Sequence, residues 1–346
     1  MVIPGKMRTV SILTAGSIDS PLRASIPSLR FLTLALLSTL AGLFFCKAQE
    51  VSAPTIRVDV SRVNVGVTVT DHSGKFVEGL RKSDFHIFDN GVEQPIAGFL
   101  ANDDPAQVVL MLECGPSMYL FGKESVQKAD TLVTNLAPND RVAVVCYSSG
   151  ATIQSGLDAD QSASRLALRD LNFGIGSADL NLSKSLLAVF GWLGTIPGKK
   201  AVVLIGSGVD TSPPDDANAF QANISASDVR VLAVSTSREL KKPPQKHKRT
   251  RDEKASRAEI DPILKDADTL LRTLTTATGG RVYFPKSTKD YEKTYIEIAQ
   301  IVRHEYNLAF SPQTFDGKLH TLTVAARRGA RVDNRQAYLA PSAPAN

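Results

Sequence analysis

The chain has 346 residues, of which 43% are hydrophobic and 22% are charged, and its formal net charge is +5. This composition is that of a globular protein with a sizeable core, and the length allows two domains and a targeting segment. Residues 238–257 hold nine Lys or Arg against three Asp or Glu, so the rest of the chain is close to neutral. The basic balance is therefore no evidence for a nucleic-acid-binding or membrane-binding protein.

The N-terminus is typical of a signal peptide. Residues 31–46 form an uncharged run of sixteen, preceded by Arg23 and Arg30. A basic region, an apolar region and a small residue at Ala48 predict a signal peptide over 1–48. We therefore expect an exported protein, which is periplasmic, secreted or envelope-associated. An N-terminal membrane anchor is the alternative, although the run is shorter than the roughly 20 apolar residues of a membrane span.

Residues 49–104 are predicted to form a β segment. The stretch 58–71 alternates apolar and polar residues at period two, which is the pattern of a half-buried strand. A turn follows at 73–75, and Asn90-Gly91 between two apolar runs predicts a hairpin. We expect these strands to form a small antiparallel sheet or half of a sandwich.

From about residue 105 to 304, strands alternate with helices. This order is typical of a doubly wound α/β fold with a mostly parallel sheet. The predicted strands cover 107–113, 141–149, 151–157 (an edge strand), 200–206, 229–236 and 281–284. The predicted helices cover about 122–136, 160–170, 183–193, 215–225, 261–276 and 288–304.

The basic segment 238–257 interrupts this domain. Its charge and Pro243-Pro244 predict a solvated, mobile insert between a strand and a helix. The alternative is a contact with an anionic envelope surface. Nucleic acid is not expected as a partner, because no aromatic residue is interleaved for base stacking.

The tail at 305–346 returns to strands, with Asp316-Gly317 as a turn. Three strands alone would have nothing to pack on. We therefore expect 305–346 to pack with 49–104, so that one small antiparallel β domain is built from both chain ends.

The cysteines Cys114 and Cys146 follow or end neighbouring predicted strands. A disulfide is geometrically conceivable and suits an exported protein. Two buried thiols are the alternative, and this is the interpretation we favour from the sequence. The chain has no CxxC pair and no His/Cys cluster, which argues against a zinc site.

Several stretches together resemble a known family. Residues 84–91 read Asp-Phe-x-Ile-x-Asp-Asn-Gly, 140–145 read DRVAVV, and 277–284 read ATGGRVYF. The central part resembles a von Willebrand factor A-type domain. Residues 55–340 as a whole resemble exported bacterial proteins with a "VWFA-related" domain, best known from acidobacteria.

This resemblance implies a metal-ion-dependent adhesion site at the carboxyl edge of the sheet. In the intact pattern the first strand ends in Asp-x-Ser-x-Ser, a later loop supplies a threonine, and an aspartate follows the fourth strand. Hydroxyl and carboxylate oxygens of this kind suit Mg²⁺, which takes six oxygen ligands. On this sequence the pattern falls on Glu113, Gly115, Ser117, Ser177 and Ser207.

Placed in this way, the site is degenerate. One carboxylate remains, one hydroxyl is replaced by Gly115, and Asp179 and Asp210 lie near the pattern without matching it. Because carboxylates supply much of the charge that compensates for dehydrating a divalent ion, we expect weak binding of Mg²⁺ at best and no resident cofactor. The candidate ligand loops are 113–120, 174–183 and 206–216.

The predicted function is an exported, non-enzymatic protein-interaction or adhesion module that binds a partner at this edge. The chain lacks a GxSxG nucleophile elbow and a phosphate-binding GxxxxGK[ST] loop, which argues against an enzyme. Two alternatives stay open. One is ligand binding or sensing that depends on a divalent metal, and the other is a structural subunit of an envelope assembly. The identity of the partner and the oligomeric state do not follow from the sequence.

Overall fold

The computed structural model describes residues 62–118, 123–171, 179–240, 251–327 and 329–342. The predicted signal peptide at 1–48 lies outside these ranges, as do Ser177 and residues 241–250 of the basic segment. Within the described ranges, no helix is both long enough and apolar enough to cross a membrane.

The N-terminal β segment forms four strands. They are β1 (Val63–Thr70), β2 (Phe85–Asp89), β3 (Val92–Gln94) and β4 (Ile96–Leu100). The valines at alternate positions of β1 are all buried, as the period-two pattern predicts. Asn90 and Gly91 both have positive φ and connect β2 to β3, which confirms the predicted hairpin.

A six-stranded mixed sheet follows. Its strands are β5 (Ala106–Glu113), β6 (Arg141–Tyr147), β7 (Ala151–Asp158), β8 (Lys199–Gly206), β9 (Arg230–Ser235) and β10 (Val282–Tyr283). The strand order is β10-β9-β8-β5-β6-β7, and β7 alone among these strands runs antiparallel to its neighbour. Every residue of β5, β8 and β9 is buried, because helices cover both faces. The predicted α/β class with a mostly parallel sheet is confirmed.

Seven α-helices lie in the described ranges, besides a short 3-10 helix at Lys82–Asp84. They are α1 (Lys123–Asn135), α2 (Ser162–Asp170), α3 (Leu182–Gly194), α4 (Ala217–Ala226), α5 (Ser237–Leu240), α6 (Arg251–Ala277) and α7 (Thr288–Arg303). Side chains of α1 and α7 pack on one face of the sheet, and those of α3, α4 and α6 pack on the other. The side chains of Asn181 and Asp216 accept hydrogen bonds from the first-turn N–H groups of α3 and α4.

The bounds predicted for the mobile insert at 238–257 are wrong, because the described residues at both ends are helical. Residues 238–240 belong to α5, and α6 begins at Arg251, ten residues before the predicted helix. The physical reason is that 251–261 is rich in strong helix formers whose charges alternate in sign, and Arg257 pairs with Asp261 one turn later. The helix then continues through Pro262.

The prediction of two buried thiols is also wrong, because Cys114 and Cys146 form a disulfide. Strands β5 and β6 are parallel neighbours, and their register sets Leu112 opposite Cys146 and Glu113 opposite Tyr147. Cys114, which follows β5, therefore comes within 5.6 Å of Cys146 between Cα atoms, a separation that suits a disulfide.

The C-terminal strands join the N-terminal ones. They are β11 (Glu305–Phe310), β12 (Leu319–Ala326), β13 (Arg331–Asn334) and β14 (Ala337–Leu339). Two four-stranded sheets result, with the orders β13-β1-β11-β4 and β14-β12-β2-β3. Residues from both sheets, among them Val65, Ile87, Leu308 and Leu322, share one apolar core. Residues 59–346 form one unit by their internal contacts, so the domain boundaries at 104/105 and 304/305 stay predictions.

Buried charges connect these antiparallel sheets to the six-stranded sheet. The ammonium group of Lys199 donates to the carbonyl oxygens of Asn102 at 2.9 Å and Glu305 at 3.2 Å. The Glu305 carboxylate forms an ion pair with Arg230 at 2.6 Å, and both side chains are more than nine-tenths buried. Because a buried charge is tolerated only when it is paired, this contact fixes how β11 sits against β8 and β9.

The antiparallel sheets also bury a titratable side chain, His320. His320 lies between two carboxylates, with Nδ1 at 2.8 Å from Asp89 and Nε2 at 3.2 Å from Asp316. Burial alone lowers the pKa of His320, but hydrogen bonds and charges from Asp89 and Asp316 outweigh it, so the net pKa lies above the ordinary value of 6.5.

Candidate functional site

Three adjacent strands end at the same edge of the six-stranded sheet. Strand β5 ends at Glu113, β6 ends at Tyr147, and β8 ends at Gly206, which is followed by Ser207. Because β5 is paired in parallel with both β6 and β8, these three carboxyl ends lie side by side. Open α/β sheets bind ligands at such an edge.

The carboxylate of Glu113 is the centre of this edge and is fully buried. Its Oε2 accepts hydrogen bonds from the Ser207 backbone N–H at 2.7 Å and the Ser207 hydroxyl at 2.6 Å. The same oxygen accepts from the Tyr147 hydroxyl at 3.3 Å, and Oε1 accepts from the Ser117 hydroxyl. We refer to Glu113, Ser117, Tyr147 and Ser207 as the carboxylate cluster.

Tyr147 contributes a hydrogen-bond donor to this cluster. Burial raises the pKa of its hydroxyl well above the ordinary value of 10.0, and the charge of Glu113 raises the pKa further. The phenol therefore keeps its proton at neutral pH and can donate to the carboxylate.

Glycines leave the space that the cluster needs. A Cβ at Gly206 would lie 2.7 Å from both Glu113 Cβ and the Tyr147 hydroxyl oxygen, so any side chain there would displace them. A Cβ at Gly115 would lie 2.8 Å from Leu180 Cδ2. The position where the family pattern has its first serine is therefore packed against Leu180, and a side chain there would have to displace the end of that leucine.

Backbone hydrogen bonds tie the neighbouring loops together. The N–H of Asn181 donates to the carbonyl of Ser148 at 2.7 Å, and that of Thr211 donates to the carbonyl of Leu180 at 2.7 Å. The Thr211 hydroxyl also accepts from the Leu180 N–H at 2.8 Å. Loops 148–150, 179–182 and 207–212 are thus held in one arrangement.

The structure brings together three of the predicted site residues, Glu113, Ser117 and Ser207. Asp210 has a different role from a ligand, since one oxygen accepts from the Ser183 N–H at 2.9 Å and the other from the Ser212 N–H at 3.2 Å. Asp179 is exposed in the loop before α3. The prediction for Ser177 lies outside the described residues.

The described residues do not fit a resident Mg²⁺. The cluster offers one carboxylate, and both of its oxygens already accept hydrogen bonds from the chain. Among the residues that the structure describes, no group of three or more His, Cys, Asp or Glu is placed to hold a metal ion. Mg²⁺ requires six oxygens in a near-octahedral array, and the hydroxyls that would help to supply them are turned toward Glu113 as donors.

Sequence reasoning missed Tyr147 and misjudged the disulfide beside it. The available signal for Tyr147 was its position as the last residue of a buried strand next to β5. A tyrosine there is ordinarily interpreted as part of the core, and its hydroxyl becomes informative only when the register of β5 and β6 is known.

No protein-family profile matches the sequence, and no curated protein does. Solved structures do match. An aerotolerance-related membrane protein from Bacteroides fragilis is 14% identical with a TM-score of 0.42, over 57% of this chain and 98% of that one. A von Willebrand factor type A protein from Catenulispora acidiphila is 14% identical with a TM-score of 0.42, over 74% of this chain and 73% of that one.

A third similar structure is proximal thread matrix protein 1 from the mussel byssus, in a form whose metal-ion-dependent adhesion motif is occupied by zinc. It is 15% identical with a TM-score of 0.39, over 58% of this chain and 48% of that one. Identities of this size concern the fold alone. The chain is thus similar, at low identity and low TM-score, to structures that include a von Willebrand factor type A protein, in line with the predicted resemblance.

Proposed function

We propose that this chain is an exported, non-enzymatic binding module, which holds a protein partner on the loops at the carboxyl edge of its six-stranded sheet without a metal ion. The observation that carries the proposal is the Glu113 carboxylate, which connects the ends of β5, β6 and β8 through hydrogen bonds from the chain itself.

The carboxylate cluster can hold the strand ends and loops of this edge in place, as a bound cation does in a metal-dependent site. Glutamate is one methylene longer than the aspartate of the family pattern, and this length lets it reach across to Ser207. Hydrogen bonds to a charged group are worth about 1.5–3 kcal/mol each. With the ties between loops 148–150, 179–182 and 207–212, they support a surface that is already ordered before a partner arrives, which lowers the entropic cost of binding.

The loops of this edge expose small polar side chains above the buried cluster. Ser149, Asp179 and Ser212 are exposed on the three loops, while the cluster beneath them is buried. The hydroxyls of Ser117 and Ser207 donate to a carboxylate rather than to an imidazole. Because Ser207 is 1% exposed, its hydroxyl is out of reach of a substrate, which supports a role in recognition over nucleophilic catalysis.

Export is supported by the disulfide. Cys114 and Cys146 form a disulfide. Disulfides persist in oxidising compartments and are rare in the cytosol. Together with the apolar run at 31–46, the disulfide favours a location in the periplasm, in the envelope or outside the cell.

The test is a quantitative pull-down from envelope extract with the full chain, in the presence and absence of a chelator. Ser212→Arg places a bulky charge on the exposed edge. Asn139→Arg is the matched control, because Asn139 is exposed in the turn before β6, at the opposite edge of the sheet. We expect Ser212→Arg to lose the specific partner, while Asn139→Arg and the chelator-treated wild type retain it. If both variants capture the same partner equally, the edge is not the binding surface.

The metal-dependent alternative has its own test. Calorimetric titration of the folded chain with Mg²⁺, Mn²⁺ and Ca²⁺ should give no binding heat at millimolar ion. A saturable heat that Glu113→Gln abolishes would instead assign the carboxylate cluster to a cation.

A further inference from the structure

The disulfide lies directly beside the carboxylate cluster. Cys114 follows Glu113 in the chain, and Cys146 precedes Tyr147. The N–H of Cys114 also donates to the carbonyl of Tyr147 at 2.8 Å. The covalent bond therefore joins β5 and β6 one residue away from two members of the cluster.

The disulfide is more accessible than the cluster. Both cysteines are partly exposed, whereas Glu113 and Tyr147 are 0% exposed and Ser207 is 1% exposed. The exposed part of the two cysteines therefore gives a small dithiol a starting point for approach that the fully buried Glu113 and Tyr147 do not offer. Accessible disulfides are the ones that thiol exchange can reach.

The sheet and the turn depend on this bond to different degrees. Strand β5 is hydrogen-bonded along its length by β6 on one side and β8 on the other, so the sheet has its own support. Turn 114–118 is fastened to the sheet by the disulfide, by hydrogen bonds from the Cys114 N–H to Tyr147 and from Ser117 to Glu113, and by the buried side chain of Met118. Loss of the disulfide removes the covalent fastening among these.

We propose that the Cys114–Cys146 disulfide is a redox-sensitive latch, whose reduction by a dithiol loosens turn 114–118 and leaves the six-stranded sheet folded. The inference rests on the proposed function, because the turn belongs to the same binding edge. In the reaction, a thiolate of the dithiol attacks one sulfur, the protein S–S bond breaks, and the other cysteine leaves as a thiolate while a mixed disulfide forms. The second thiol of the reagent then breaks the mixed disulfide and releases the first cysteine as a thiolate. The protein gains two electrons and two protons, and the dithiol becomes a disulfide.

The test is hydrogen exchange of the full chain before and after treatment with dithiothreitol, read by mass spectrometry at peptide resolution. We expect amide exchange at 114–118 to become at least about tenfold faster on reduction through local opening, while β8 and β9 stay protected relative to an unfolded chain even though the global stability falls. The double variant Cys114→Ser/Cys146→Ser should resemble the reduced wild type and should not respond to dithiothreitol. Alkylation should label at most Cys46 before reduction, and should also label Cys114 and Cys146 after it.

Three results would overturn the latch. Free thiols at Cys114 and Cys146 in the protein as purified would show that the bond is not formed. Unchanged exchange at 114–118 would show that the bond does not fasten the turn. Exchange of β8 and β9 at the rate of an unfolded chain would show that the disulfide holds the whole fold. None of these readouts requires a partner, so the latch and the proposed function can fail independently.

Discussion

Replacing Glu113 by glutamine tests whether the buried carboxylate holds the edge together. The amide oxygen can keep the three donors at Oε2, namely the Ser207 N–H, the Ser207 hydroxyl and the Tyr147 hydroxyl. The amide nitrogen then faces Ser117, whose hydroxyl can rotate to accept. Each of the three bonds changes from charge-assisted to neutral, which weakens it by about 1 kcal/mol. We therefore expect the free energy of unfolding to fall by about 3 kcal/mol. The fall is reduced by the desolvation cost of the buried charge, which glutamine does not carry.

Urea unfolding followed by circular dichroism measures this change as a shift of the midpoint at constant slope. Glu259→Gln is the matched control, because Glu259 is exposed on α6 and its replacement should change stability by less than about 0.5 kcal/mol. Glu113→Asp should be destabilised as well, since the shorter side chain cannot reach Ser207. If Glu113→Gln is as stable as the wild type, the carboxylate does not organise these strand ends. Recovery of the lost stability by added Mg²⁺ would also contradict the reasoning.

Three further predictions concern other parts of the fold. Removing the disulfide, with a sequence separation of 32 between its cysteines, should cost about 3–4 kcal/mol by the chain-entropy relation, seen as a lower thermal midpoint of Cys114→Ser/Cys146→Ser. Glu305→Gln should cost about 3 kcal/mol or more in urea unfolding, because it leaves Arg230 buried without its counter-charge; a stability equal to the wild type would show that the pair contributes nothing. The raised pKa of His320 should stabilise the fold fully below about pH 6.5, and this contribution should be lost as pH rises through the folded-state pKa. The difference in urea midpoint between wild type and His320→Gln should therefore shrink between slightly acidic and alkaline pH, and a difference that grows with pH would contradict the assignment.

The α/β class and the strand pairing of the β segments could be predicted because they depend on patterns along the chain. Alternating valines in β1, the Asn90-Gly91 turn and uninterrupted apolar runs each have a local physical meaning. The candidate site was predictable in outline because the resemblance to the family pattern implied Glu113, Ser117 and Ser207 at one edge of the sheet.

The features that the sequence could not predict depend on strand register and on the direction in which hydrogen-bond donors point. The disulfide exists because Leu112 lies opposite Cys146, and no periodicity reveals which residues face each other across two strands. The role of Ser207 also needed the structure, because the same hydroxyl could accept from a donor or bind a cation. The early start of α6 was missed because charge and prolines at 238–257 indicated a loop, while helix propensity from 251 onward determined the outcome.

The pairing of β1 has a consequence for the order in which the chain can fold. Within the described strands, β1 is hydrogen-bonded to β11 and β13 only, and both belong to the last part of the chain. During synthesis from the N-terminus, β1 therefore has no strand to pair with until more than 230 further residues have been made. Contacts this distant in sequence form slowly. We expect a chain truncated before Glu305 to expose β1, and the intact protein to complete its antiparallel sheets as a late step of folding.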